Sequence, residues 1–87
     1  MKIKDGFILR EVAGSFIVVA VGEAVKTFRG LINLNETGAF LWKMAEKGTT
    51  KEEMVKALLE TYDVDEATAA KDVDNFTAKL QEANLVK

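Results

Sequence analysis

The sequence of 87 residues contains no histidine and no cysteine, so side-chain chemistry falls to carboxylates, lysines, hydroxyls and amides. The commonest general base, the commonest transition-metal ligand and the usual pH switch are therefore missing. Disulfides, iron–sulfur clusters and thiolate zinc sites are excluded within the chain as well. One acidic cluster remains: Asp63, Asp65 and Glu66 stand close enough in sequence to hold a hard cation. The glycine-containing calcium-loop pattern is absent around them, and Asp63 and Asp65 explain themselves as loop and helix N-cap residues. No carboxylate pair is placed for acid–base work. The residues predict a chain that is not an enzyme and needs neither metal nor other cofactor.

What the sequence does offer is backbone chemistry. A strand at the edge of a sheet presents unpaired N–H and C=O groups, and natural edges are usually guarded by charge or proline. The run Gly30-Leu31-Ile32-Asn33-Leu34 has neither guard. As the last strand of a three-stranded meander it leaves an edge for an added peptide strand, for the chain's own helices or for a second copy of the chain. The first strand is the other edge, and it carries Arg10 and Glu11 at its middle, which discourages pairing.

The elements that position this edge fall into two halves. Residues 7–12 are rich in large apolar and β-branched side chains and lead into the turn Ala13-Gly14-Ser15. Residues 16–21 read as a second strand, apolar on both faces and central. A looser connection over 22–27 leads to a third strand over 29–34, softened by Gly30. From Asn35 the hydrophobic period changes from two to 3.6. Asn35 caps a helix over 36–46, with Phe40, Leu41, Met44 and Ala45 on one face and Gly48 at its end. Thr50 and Glu53 form a capping box opening a second helix over 51–62, with Met54, Val55, Leu58, Leu59 and Tyr62 as its stripe. Asp65 caps a third helix over 66–83, with core positions Ala69, Ala70, Val73, Phe76, Thr77 and Leu80, and the chain leaves it through Asn84. The lone tryptophan, Trp42, sits beside the gap left by Gly38 and reads as a packing residue. This order predicts an α+β, winged-helix-like fold in a single domain over residues 1–87, with a three-stranded antiparallel sheet followed by three helices packed on one of its faces.

The side chains are more particular than the order. Ile32-Asn33-Leu34-Asn35-Glu36-Thr37-Gly38-Ala39-Phe40-Leu41-Trp42 resembles the signature of the PqqD-like family, named after pyrroloquinoline quinone biosynthesis protein D. Gly48-Thr49-Thr50 before a Glu-rich helix start is similar to the family's next block, and Leu59-Glu60-Thr61-Tyr62-Asp63-Val64-Asp65 to the one after it. Asp72-Val73-Asp74-Asn75-Phe76, Leu80 and Asn84-Leu85 resemble the last block. The likeness covers nearly the whole chain, in the strands by pattern alone. It departs at Asn84, where such sequences usually carry glycine; asparagine is the next-best residue for a left-handed cap.

The resemblance implies a recognition element for ribosomally made, later-modified peptides. Such domains hold the leader of a precursor peptide and present its core to a maturase, often a radical S-adenosylmethionine enzyme. The leader adds as a strand against the third strand, in a groove also walled by the third helix. Carried onto this sequence, the peptide-binding residues are Leu31, Ile32, Asn33 and Leu34 on the strand and Asp72, Phe76, Lys79 and Leu80 on the helix. Phe76 and Leu80 would supply apolar grip, with Asp72 and Lys79 steering on the same flank. The implied partners are the precursor peptide and its modifying enzyme, in the cytoplasm, with no nucleic acid and no membrane. A weak homodimer through the sheet edge stays open.

Two rival readings share the element order. A winged-helix DNA-binding domain needs a basic recognition helix. Here the third helix has Lys71 and Lys79 against Glu66, Asp72, Asp74 and Glu82, so DNA binding is disfavoured. The net charge of −2 combines a basic first part, five basic against three acidic groups over 1–34, with an acidic remainder. The other rival is a structural module that associates with itself through the edge. The longest apolar run, 16–21, is far too short to span a bilayer.

Overall fold

The computed structural model describes residues 1–28 and 30–87. Strands β1 (Phe7–Val12) and β2 (Ser15–Ala20) form a hairpin, and β2 pairs antiparallel with β3 (Leu31–Leu34), giving the order β1-β2-β3. Helices α1 (Glu36–Lys47), α2 (Lys51–Thr61) and α3 (Glu66–Glu82) follow. This is the α+β arrangement that the change of period at Asn35 predicts. Two details differ. The third strand was expected from Arg29, which lies outside the described residues; pairing with β2 starts at Leu31. The connection over 22–27, expected to be loose, is wound into a 3-10 turn over Gly22–Lys26.

Val12 faces Ser15 across a two-residue loop in which Ala13 and Gly14 both have positive φ, 50° and 80°. That is the turn whose twist matches the twist of paired strands. Along β1 burial falls from half-buried Phe7, Ile8 and Leu9 to exposed Arg10, Glu11 and Val12, so the hairpin tip runs clear of the core. The helices cover the sheet face that carries Val18, Ile32 and Leu34.

The passage from β3 into α1 explains the Asn-Glu-Thr-Gly motif. Asn35 Oδ1 accepts from the Gly38 N–H at 2.7 Å and from the Thr37 hydroxyl at 3.0 Å. A Cβ on Gly38 would meet Asn35 Oδ1 at 3.0 Å and Leu34 Cβ at 3.3 Å. Glycine is what lets the first turn of α1 sit against the end of β3. The other caps form as read. Thr50 and Glu53 exchange the two bonds of a capping box. Asp65 Oδ1 accepts the Thr68 N–H at 2.7 Å, which holds its carboxyl below the usual range. Capping thus accounts for Asp65 in the acidic cluster. Helix α3 ends in a Schellman motif: Leu85 N–H donates to Leu80 C=O, Asn84 N–H to Gln81 C=O, and Asn84 takes φ 60°.

The core joins Val18 and Leu34 of the sheet to Leu41, Trp42, Met54, Leu58, Val73 and Leu80 of the helices. Trp42 is fully buried, as a packing residue should be, and its indole N–H has no partner among the described residues. An unmet buried donor costs about 1–3 kcal/mol. The chain ends close the structure through an antiparallel bridge between Ile3 and Val86, with the Lys4 N–H donating to Leu85 C=O at 2.7 Å. Among the described residues no helix is long and apolar enough to cross a membrane.

Candidate functional site

The direction of each backbone group on β3 follows from the register. In an antiparallel pair, residues that exchange hydrogen bonds alternate with residues that turn both groups away. The Val21 N–H donates to Gly6 C=O at 2.8 Å, which marks Gly6 and Val21 as a bonded pair just before Phe7 and Ala20. Counting along β2, Ser15, Ile17 and Val19 then face β1, while Phe16 and Val18 face β3. Their partners Leu34 and Ile32 are tied into the sheet. Leu31 and Asn33 therefore turn their N–H and C=O to the free edge. A separate contact agrees: Lys79 Nζ, reaching over from α3, donates to the Asn33 carbonyl at 2.7 Å.

The pleat sorts the side chains of the same strand. Ile32 and Leu34 point under the sheet; Ile32 is half-buried against the core and Leu34 is buried. Leu31 and Asn33 lie on the opposite, open face, and Leu31 is 51% exposed. Helix α3 runs beside the edge. A cavity of about 110 Å³ between them is lined by Leu34, Asn35, Thr37, Gly38, Asp72, Asn75, Phe76 and Lys79. Next to it a more open hollow is lined by Leu31, Ile32, Asn33, Lys79, Glu82 and Ala83. Lys79 borders both, so the two make one groove along the strand.

Of the residues named from the sequence, Leu31 and Asn33 supply the open backbone. Ile32, Leu34, Asp72, Phe76 and Lys79 line the groove. Phe76 does so as a floor, being 3% exposed. Leu80 is a correction. It is wholly buried, borders neither hollow and carries the carbonyl that closes the Schellman motif. The apolar grip expected of it belongs to the core instead. Sequence reasoning also passed over Asn75, Glu82 and Ala83. They follow Asp72 at steps of three and four with Phe76 and Lys79, a single helical face. Its mixed polarity hid it from a search for apolar stripes.

Lys79 makes no ion pair among the described residues; the pair on α3 is Lys51 with Asp74, towards α2. No three metal-ligating side chains gather among the described residues. What the geometry presents is a free strand edge with four backbone groups in line, beside a hollow with Phe76 at its floor and one cation, Lys79, at its border.

The sequence profile of the family described as Coenzyme PQQ synthesis protein D (PqqD) matches residues 26–86. Two solved structures have the same fold. One is TbiB1 in complex with the TbiA(beta) leader peptide, with a TM-score of 0.76 and 24% identity, the match covering 100% of this chain and 95% of that one. The other is a lasso peptide synthetase B1 complexed with the leader peptide, with a TM-score of 0.73 and 15% identity, covering 97% of this chain and 93% of that one. No curated protein sequence matches the chain.

Proposed function

The chain belongs to the PqqD family, and from that premise we propose that it binds the leader of a ribosomally made precursor peptide by strand addition and presents the peptide to a modifying enzyme. The observation that carries this reading is the edge of β3, where Leu31 and Asn33 offer their backbone groups beside a groove floored by Phe76. A peptide laid there in extended form satisfies those groups and places alternate side chains under the sheet. The two solved structures of like fold each hold a leader peptide, which supports the same use here. The role is non-catalytic: the chain holds the substrate, and a maturase of the radical S-adenosylmethionine or another class does the chemistry, in the cytoplasm.

A strand of four or five residues with apolar contacts along the groove binds at roughly micromolar strength, about −8 kcal/mol. The test is a titration of isotope-labelled protein with leader peptides encoded beside its gene, followed by backbone amide shifts. Shifts centred on Leu31, Asn33 and the groove side of α3 are expected. Saturable binding that leaves β3 unperturbed overturns strand addition.

A further inference from the structure

Lys79 occupies an acceptor that an added strand would need. Its Nζ lies 2.7 Å from the Asn33 carbonyl, one of the edge groups, and spans from residue 79 to residue 33 across the groove. The side chain is exposed and makes no ion pair among the described residues; Asp72 and Glu82 line the same hollows without pairing with it, and its one bond goes to a neutral oxygen. An ammonium gains more from a carboxylate than from a carbonyl, since the carbonyl offers only a dipole and the carboxylate adds the attraction of an opposite charge.

Resting on the strand-addition reading, we propose that Lys79 is a specificity-determining residue: it latches the free edge and is released by an acidic side chain of the incoming peptide. When a strand adds, one of its N–H groups replaces the ammonium on Asn33 C=O. The displaced Nζ then turns to a carboxylate on the peptide. The pleat fixes where that carboxylate must be. A residue directly opposite Asn33 puts its side chain on the open face, whereas its immediate neighbours point under the sheet, towards α3. For a strand added antiparallel to β3, the acidic residue is therefore adjacent to the one that bonds Asn33. A peptide without it either leaves the latch closed and forgoes one ladder bond, or sends the ammonium to water.

The latch also guards an edge that carries no charge or proline of its own. From Gly30 to Leu34 nothing on the strand discourages pairing. A lysine supplied from a helix gives that protection while remaining removable.

The probes are two synthetic ten-residue peptides of one alternating valine–threonine frame with lysine ends, differing only in a central Glu or Gln. Affinities are measured for the parent and for K79M, which keeps the length of the side chain and drops its charge. The parent should prefer the Glu peptide by roughly three- to tenfold, the range of one net hydrogen bond. K79M should lose that preference and bind the Gln peptide more tightly than the parent does. Equal responses of the two peptides to the substitution overturn the proposal. The carbonyl carbon resonance of Asn33 in the free proteins separates this failure from failure of the underlying reading. If it is the same in K79M and the parent, the latch is wrong and strand addition stands. If it shifts in K79M, yet neither peptide binds either protein up to millimolar concentration, the acidic-residue selectivity proposed for Lys79 falls, while strand addition itself is decided by the leader titration.

Discussion

Leu80 and Phe76 show how finely one helical turn divides packing from contact. Both lie on the apolar stripe of α3, and both are almost wholly enclosed, yet Phe76 borders the groove and Leu80 does not. Nothing in residue type or spacing separates them. The difference arises because Leu80 sits where α3 ends and Leu85 folds back, a contact set by the Schellman motif. Caps, by contrast, are settled by near neighbours, which is why Asn35, Thr50 and Asp65 were legible from sequence. The distinction has a measurable form. Leu80→Ala should cost about 2–5 kcal/mol in urea unfolding while the folded fraction binds a leader within about twofold of the parent. Asn75→Ala, at an exposed groove position, should do the reverse, leaving stability within about 0.5 kcal/mol and weakening the leader. An Asn75 variant indistinguishable in affinity would remove that residue from the site.

At the scale of the element, β3 is a strand whose residues have opposite duties. Ile32 and Leu34 hold it to β2, and Leu31 and Asn33 face the edge. The unguarded composition of this strand and the alternation of its backbone groups are legible in the sequence, but which of its residues face outward is not. That depends on the register set by the turn at Ala13 and Gly14, which decides which residues of β2 are left to face β3. The bridge between Ile3 and Val86 was equally beyond a sequence reading, since it joins short segments with no periodic pattern of their own. Proline, which has no N–H to give, reads out the duties directly. At Leu31 or Asn33 it should reduce leader affinity about tenfold or more and leave the melting temperature close to that of the parent. At Ile32 it breaks a bond to Val18, and a loss of about 3 kcal/mol of stability is expected. If Leu31→Pro and Asn33→Pro stay folded and bind the leader as tightly as the parent, the peptide does not use this edge.

For the molecule as a whole, the same order of elements can serve a duplex or a peptide, and the placement of charge decides between them. A winged helix reads DNA by offering a basic helix outward to phosphates. Here α3 carries four acidic and two basic side chains over Glu66–Glu82. Its two lysines do not make a phosphate-binding row: Lys79 is turned onto β3, and Asp74 beside Lys71 draws Lys51 from α2. The helix face at 72, 75, 76 and 79 addresses the chain's own strand. A duplex approaching α3 would meet net negative charge with no counterion release to offset it. The two ligands should therefore differ in strength and in salt response. Binding to a labelled duplex of twenty base pairs should be weaker than about 10⁻⁴ M at physiological salt, the weak end of non-specific association. Leader binding, built from backbone bonds and one ion pair at Lys79, should weaken only slightly over the same salt range, because screening acts on a single charge contact. Fluorescence anisotropy of both ligands across a salt series makes the comparison in one experiment. Micromolar duplex binding that falls steeply with salt would return α3 to the role of a recognition helix and leave the free edge of β3 unexplained.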